Sequence, residues 1–163
     1  MEIYLLRHGV AEVQSSSGHD ADRRLTDEGR EKLVKVLECA HSAGVAPSLI
    51  LTSPLRRALE TAEIAARELG YNGKLVRSEA LVPGGTPRGL WQELRQHREE
   101  TSVLLTGHDP LFSSAVAYLL GSSHAMMHFR KGALVRIDVE SLGAEPHGVL
   151  QWMITPGIAR AIK

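Results

Sequence analysis

Short runs of β-branched and aliphatic residues alternate, from one end of this chain to the other, with longer stretches whose apolar positions recur every three to four residues. The short runs predict strands near 2–7, 48–52, 74–77, 102–106, 133–139 and 149–154, and the longer ones helices near 27–43, 54–69, 87–98 and 110–120. Thr26, Ser53 and Asp109 each stand before a helical stretch as oxygen-bearing caps, with Pro54 and Pro110 following the latter two, and Gly44, Gly70 and Gly121 stand where three helices should stop. Strand-then-helix alternation implies an α/β domain of three layers, a mostly parallel sheet with helices on both faces. The connection between the last two strands is too short for a helical crossover, so at least one strand, at the edge, should be antiparallel.

A chain of 163 residues with no shift in composition reads as one domain over residues 1–163. Nineteen basic residues balance nineteen acidic ones, so the overall charge points to neither nucleic acid nor membrane as a partner. No apolar run approaches the roughly 18 residues of a membrane span, and a cytoplasmic setting is expected. The single cysteine, Cys39, excludes an internal disulfide and a thiolate metal cluster; its place in a helical pattern gives it a structural role.

In open α/β sheets ligands sit beyond the carboxyl ends of the strands. There this sequence places Arg7, His8 and Gly9 after the first strand, Ser53 to Arg57 after the second, and Gly107 and His108 after the fourth. Two histidines and one or two arginines would converge there, beside helix N-termini that carry partial positive charge. Such a set suits an anion, and planar multidentate guanidinium groups favour a phosphoryl group. A neutral imidazole is also a competent nucleophile near pH 7.

The stretches "LLRHG" at 5–9, "SPLRRALETA" at 53–62 and "TGHDP" at 106–110 together resemble the histidine phosphatase superfamily. "RRLTDEG" at 23–29 and "FRKGALVRID" at 129–138 are similar to its short bacterial phosphohistidine phosphatase branch, and the likeness runs from residue 1 to about 140. The resemblance implies phosphoryl transfer in two steps, without metal or other cofactor. His8 would attack phosphorus in line and become phosphorylated, and water would then release phosphate, with Arg7 and Arg57 on the equatorial oxygens and His108 completing the pocket. Arg57 rather than Arg56 takes that role because it directly precedes Ala58, as the family arginine precedes its alanine. Gly9, Ser53 and Gly107 would line the bound group. A phosphorylated protein, such as a phosphorelay domain or a sugar-transport phosphocarrier, is the partner the resemblance implies.

Many members of the wider family place a carboxylate after the third strand to protonate a departing alkoxide. Here that region, "SEALVPGGTPRGLW", offers only Glu79. Imidazole leaves from phosphorus far more readily than an alkoxide, so the missing acid favours phosphohistidine over phosphoserine. Asp109, where many relatives carry asparagine, should turn away from a phosphate to cap its helix. "HAMMH" at 124–128 has the histidine spacing of a zinc site but no glutamate between, and His19, His41, His97 and His147 read as surface or structural. Trp91 reads as core, and "QSSSGHDADRR" at 14–24 as a solvated loop in which Arg23 or Arg24 is available to a partner. Two other readings keep the same pocket: a general phosphomonoesterase, and a catalytically silent phosphate-binding module.

Overall fold

The computed structural model describes residues 1–162. Its elements follow the expected alternation: β1 (Glu2–Arg7), α1 (Asp27–Ser42), β2 (Leu49–Thr52), α2 (Arg56–Glu68), β3 (Leu75–Arg77), α3 (Pro87–Gln96), β4 (Ser102–Gly107), α4 (Leu111–Leu119), β5 (Leu134–Val139), β6 (Gly148–Ile154) and α5 (Pro156–Ala161). The six strands form one sheet in the order β3-β2-β4-β1-β5-β6. The first four in that order run parallel, β5 is antiparallel to β1, and β6 is antiparallel to β5. The reversed strand is therefore β5, one place in from the edge.

The central strands β1 and β4 are buried on both faces, which is why they read as continuous apolar runs. Successive side chains of β1 supply opposite cores. Ile3 and Leu5 join Trp91, Phe112 and Val116 on the side of α3 and α4, while Tyr4 and Leu6 join Leu33, Leu37 and Ala62 on the side of α1 and α2. Trp91 is core, as expected, with its indole N–H donated to the Gly143 carbonyl at 3.1 Å.

Thr26 caps α1 by accepting from the Gly29 N–H at 3.0 Å, and Gly44, Gly70 and Gly121 follow α1, α2 and α4 with φ of 83°, 66° and 67°. Two caps differ from expectation. α2 begins at Arg56, two residues after Pro54, so Ser53 lies outside it and its hydroxyl accepts from the Leu55 N–H instead. α4 begins at Leu111, and Asp109 reaches past Pro110 to accept from the Ser113 N–H at 3.0 Å. Its carboxylate thus performs the capping task from one position further back. The helix α5 was not expected; Thr155 caps it by accepting from the Ile158 N–H, with Pro156 in its first turn.

Candidate active site

The carboxyl ends of β1, β2 and β4 are neighbours in the sheet, so adjacent strands deliver Arg7, Ser53 and His108 to one crevice. The backbone there is tightly tied. The His8 N–H donates to the Gly107 carbonyl at 2.9 Å, and the Gly132 N–H is shared between the carbonyls of Arg7 and His8 at 3.1 Å each. Gly107 is required by packing, because a Cβ there would stand 2.8 Å from the Phe112 ring. Gly29 is required more strictly: a Cβ would stand 2.2 Å from the Val10 carbonyl oxygen, in the segment leaving the site.

His8 is buried, and its Nδ1 lies 2.7 Å from the Gly9 carbonyl oxygen. A carbonyl only accepts, so Nδ1 carries the proton and Nε2 of the neutral ring keeps its lone pair. Burial pushes the His8 pKa down to about 4, with the positive charges of Arg57, Arg7 and Lys131 acting in the same direction against the Gly9 hydrogen bond. His8 at neutral pH is therefore an uncharged imidazole in one tautomer. His108 lies beside it, the ring centroids 5.2 Å apart. Burial, followed by the neighbouring His8 and Arg57, pushes its pKa down to about 3. The Ser53 hydroxyl, 2.8 Å from His108 Nε2, accepts from Leu55 N–H and is free to donate to the ring. In that arrangement His108 Nδ1 bears its proton.

Arg7 is fixed by donating from Nη1 to the Phe129 carbonyl at 2.6 Å. Arg57, on the first turn of α2, is buried, and its positive charge helps lower the pKa of both histidines. Burial lowers the pKa of both guanidinium groups; Asp109 opposes this at Arg7 and Asp20 at Arg57. Arg56 turns elsewhere and pairs with Glu60 at 3.2 Å, and Glu60 also accepts from the Leu25 N–H and from Arg30. Three buried nitrogens around the crevice, Arg7 Nε, Arg57 Nε and His108 Nδ1, have no acceptor within the protein. Buried donors without partners cost about 1–3 kcal/mol each, and all three suit the oxygens of a tetrahedral anion.

The structure brings Arg7, His8, Ser53, Arg57, Gly107 and His108 together. Gly9 is adjacent, but its N–H is donated to Thr61 Oγ1 at 3.2 Å, while that hydroxyl donates to the Arg57 carbonyl at 2.7 Å. The helix N-termini at the crevice likewise use donors internally, on Ser53 and on Asp109.

Two participants were not read as such from the sequence. Thr61, on α2, ties the strand-one loop to the helix that carries Arg57; its signal was the threonine of "SPLRRALETA". Asp20 lies in the exposed 14–24 loop, but its backbone carbonyl accepts from Arg57 Nη1 at 3.0 Å and its carboxylate from Nη2 at 3.2 Å. The loop is thus attached to the site, and Arg23 is engaged within it, donating to Asp20 and to the Glu12 carbonyl. Nothing in the local sequence singles Asp20 out from Asp22.

Glu79, exposed on a single 3-10 turn after β3, makes no side-chain hydrogen bond to the crevice. His124 and His128 are exposed in an irregular segment, so they do not share a helix face. Among the described residues no group of three or more His, Cys, Asp or Glu is placed to hold a metal ion, and no helix is long and apolar enough to cross a membrane.

This combination of sheet order and paired histidines and arginines defines a phosphoryl-handling α/β domain. The chain belongs to the histidine phosphatase superfamily: residues 3–82 match its branch 1. It is 33% identical over 138 residues to the phosphohistidine phosphatase SixA homolog of Haemophilus influenzae, covering 79% of this chain and 83% of that one. It is also 33% identical over 151 residues to an uncharacterized protein of Picosynechococcus, covering 90% of each. The protein histidine phosphatase SixA complexed with tungstate has the same fold, with a TM-score of 0.86 over 96% of this chain and 98% of that one, at 23% identity.

Proposed function

We propose that this chain is a phosphohistidine phosphatase that acts on a phosphorylated protein through a phosphohistidine on His8. The observation that carries the reading is the set of buried nitrogens without acceptors, Arg7 Nε, Arg57 Nε and His108 Nδ1, around an imidazole whose Nε2 lone pair is free. His8 Nε2 attacks phosphorus; its bond to phosphorus forms as the bond to the substrate imidazole breaks, and that imidazole leaves with a proton from solvent. Water then attacks the phosphorus on His8, releasing inorganic phosphate and restoring the free ring. Arg7 and Arg57 take the charge that spreads over the equatorial oxygens, and His108 Nδ1–H donates to one of them.

The carboxylate that reaches this crevice supports a nitrogen leaving group over an alkoxide. Asp20 is held below the ordinary carboxylate range, chiefly by its hydrogen bond to Arg23, so it is ionised at neutral pH and poorly suited to donate a proton. General acid catalysis contributes about 10²- to 10⁴-fold. Phosphohistidine should therefore exceed phosphoserine in kcat/KM by at least about 100-fold, with aryl phosphates between them. Equal rates on phosphohistidine and phosphoserine would replace this reading with a general phosphomonoesterase. Covalent label that maps to His8 after an alkaline quench, and disappears in His8→Ala, is the expected intermediate; label on another residue would overturn the mechanism.

A further inference from the structure

An open groove of about 1200 Å³ runs between α1 and α5 beside the active site. Val10, two residues after His8, lines its near end together with Arg130 and Lys131. Those two basic residues belong to the turn whose Gly132 N–H is bonded to the Arg7 and His8 carbonyls, so groove and nucleophile share one rigid piece of backbone. The positive charge of Lys131 is felt at His8 itself.

The charge of the groove departs from that of the chain. Lys32, Lys35, Arg130, Lys131 and Arg160 line it against only Glu28 and Glu31, although the whole sequence has 19 basic and 19 acidic residues. Lys32 pairs with Glu28, and Lys35 with Glu38. Arg130, Lys131 and Arg160 are exposed and have no acidic partner among the described residues. Apolar surface lies among these cations, including Ile162, which is 59% exposed. A site for phosphate alone needs none of this surface, since the crevice already supplies its donors.

We infer that this groove docks the acidic flank of a phosphohistidine-bearing polypeptide, holding the chain next to its phosphorylated imidazole while that imidazole enters the crevice. The inference rests on the phosphohistidine reading above and specifies the substrate's surface: acidic residues near the phosphohistidine, with an apolar contact between them. Complementary charge of this kind acts mainly on encounter rate and is screened by salt.

The test compares three substrates: a histidine-phosphorylated peptide with glutamates flanking the phosphohistidine, the same peptide with lysines there, and free phosphohistidine. The parent protein should prefer the acidic peptide by about tenfold or more at low salt, and the preference should shrink as salt rises. The double variant Lys35→Glu with Arg160→Glu changes two exposed groove positions on different helices, neither in the crevice. It should lose or invert that preference while turning over free phosphohistidine within about twofold of the parent rate. A preference that survives the double variant, or is absent in the parent, would overturn the docking inference. Equal slowing on all three substrates would overturn it too, assigning the groove's charge to the crevice itself. Hydrolysis of aryl phosphate with none of any phosphohistidine substrate would instead remove the functional reading and the docking inference with it.

Discussion

Asp20 occupies two of the Arg57 donors, one through its backbone carbonyl at 3.0 Å and one through its carboxylate at 3.2 Å. The partners differ sharply in exposure, with 7% of the Arg57 side chain accessible against 62% of Asp20. The arginine is fixed and the acid can withdraw. In the proposed reaction an arriving phosphoryl group needs the same guanidinium, so substrate and Asp20 would compete for it.

Asp20→Ala should therefore tighten the binding of inorganic phosphate or tungstate. An exposed ion pair contributes about 0.2–1 kcal/mol, so the inhibition constant should fall by up to about fivefold. Competitive inhibition measured on both proteins decides the matter. Weaker inhibition of the variant would mean that Asp20 organises Arg57 for the anion rather than screening it.

The neighbouring arginines on α2 should separate cleanly. Removing a donor to the charge that develops in the transition state costs about 10²- to 10³-fold in kcat, which is the expected effect of Arg57→Ala. Arg56→Ala removes one of two arginines from Glu60, a buried carboxylate that also holds the Leu25 N–H. Its effect should fall on stability, lowering Tm while kcat stays within a few-fold. Thermal unfolding and turnover measured on the same preparations distinguish the two, and the reverse order would show that the other arginine faces the phosphate.

Both site histidines should make the protein sensitive to acid. In the unfolded chain each takes up a proton near pH 6.5, whereas folded His8 holds out until about 4 and His108 until about 3. Their burial as neutral rings is therefore tolerated in full above pH 6.5, and stability falls as the pH drops from there toward 3–4, because the unfolded state binds the extra protons. Chemical denaturation at pH 7 and pH 4.5 should show this loss, and His108→Gln should reduce it. A variant with the parent's acid sensitivity would place its origin elsewhere.

Gly29→Ala should be costly although it lies on a helix, where alanine is ordinarily favoured. The added carbon meets the Val10 carbonyl at 2.2 Å, and backbone on both sides must shift. Overpacking of this kind costs about 1–3 kcal/mol. Denaturant titration should show a lower midpoint, with kcat reduced as well because Val10 follows the nucleophile's loop. An unchanged midpoint would mean that α1 can slide away freely.

The sheet was legible because β1, β2 and β4 are continuous apolar runs and because the residues at their carboxyl ends are chemically conspicuous. Arg7, His8, Arg57 and His108 were marked by strand ends and by the likeness of their motifs to the superfamily. α5 escapes a sequence reading although "TPG" at 155–157 carries a cap and a proline, because its six residues make fewer than two turns, too short to show a period. Asp20 was missed for a different reason. Its importance comes from a contact 37 positions away in sequence, and the 14–24 loop in which it sits reads as polar and uniform. Asp109 was read correctly as turned to its helix, but the residue after it, Pro110, moved the helix start one place further on.

The strand order has a consequence for how such a catalyst can be repurposed. In the proposed reaction the chemical step depends on the ends of three strands that lie side by side in the middle of the sheet, while β3 and β6, at its two borders, supply none of the four side chains assigned to it. α5 follows the border strand β6 and forms one wall of the groove. The α5 wall of the proposed recognition surface thus lies at the border, and a new clientele can be written into that wall without rewriting the centre.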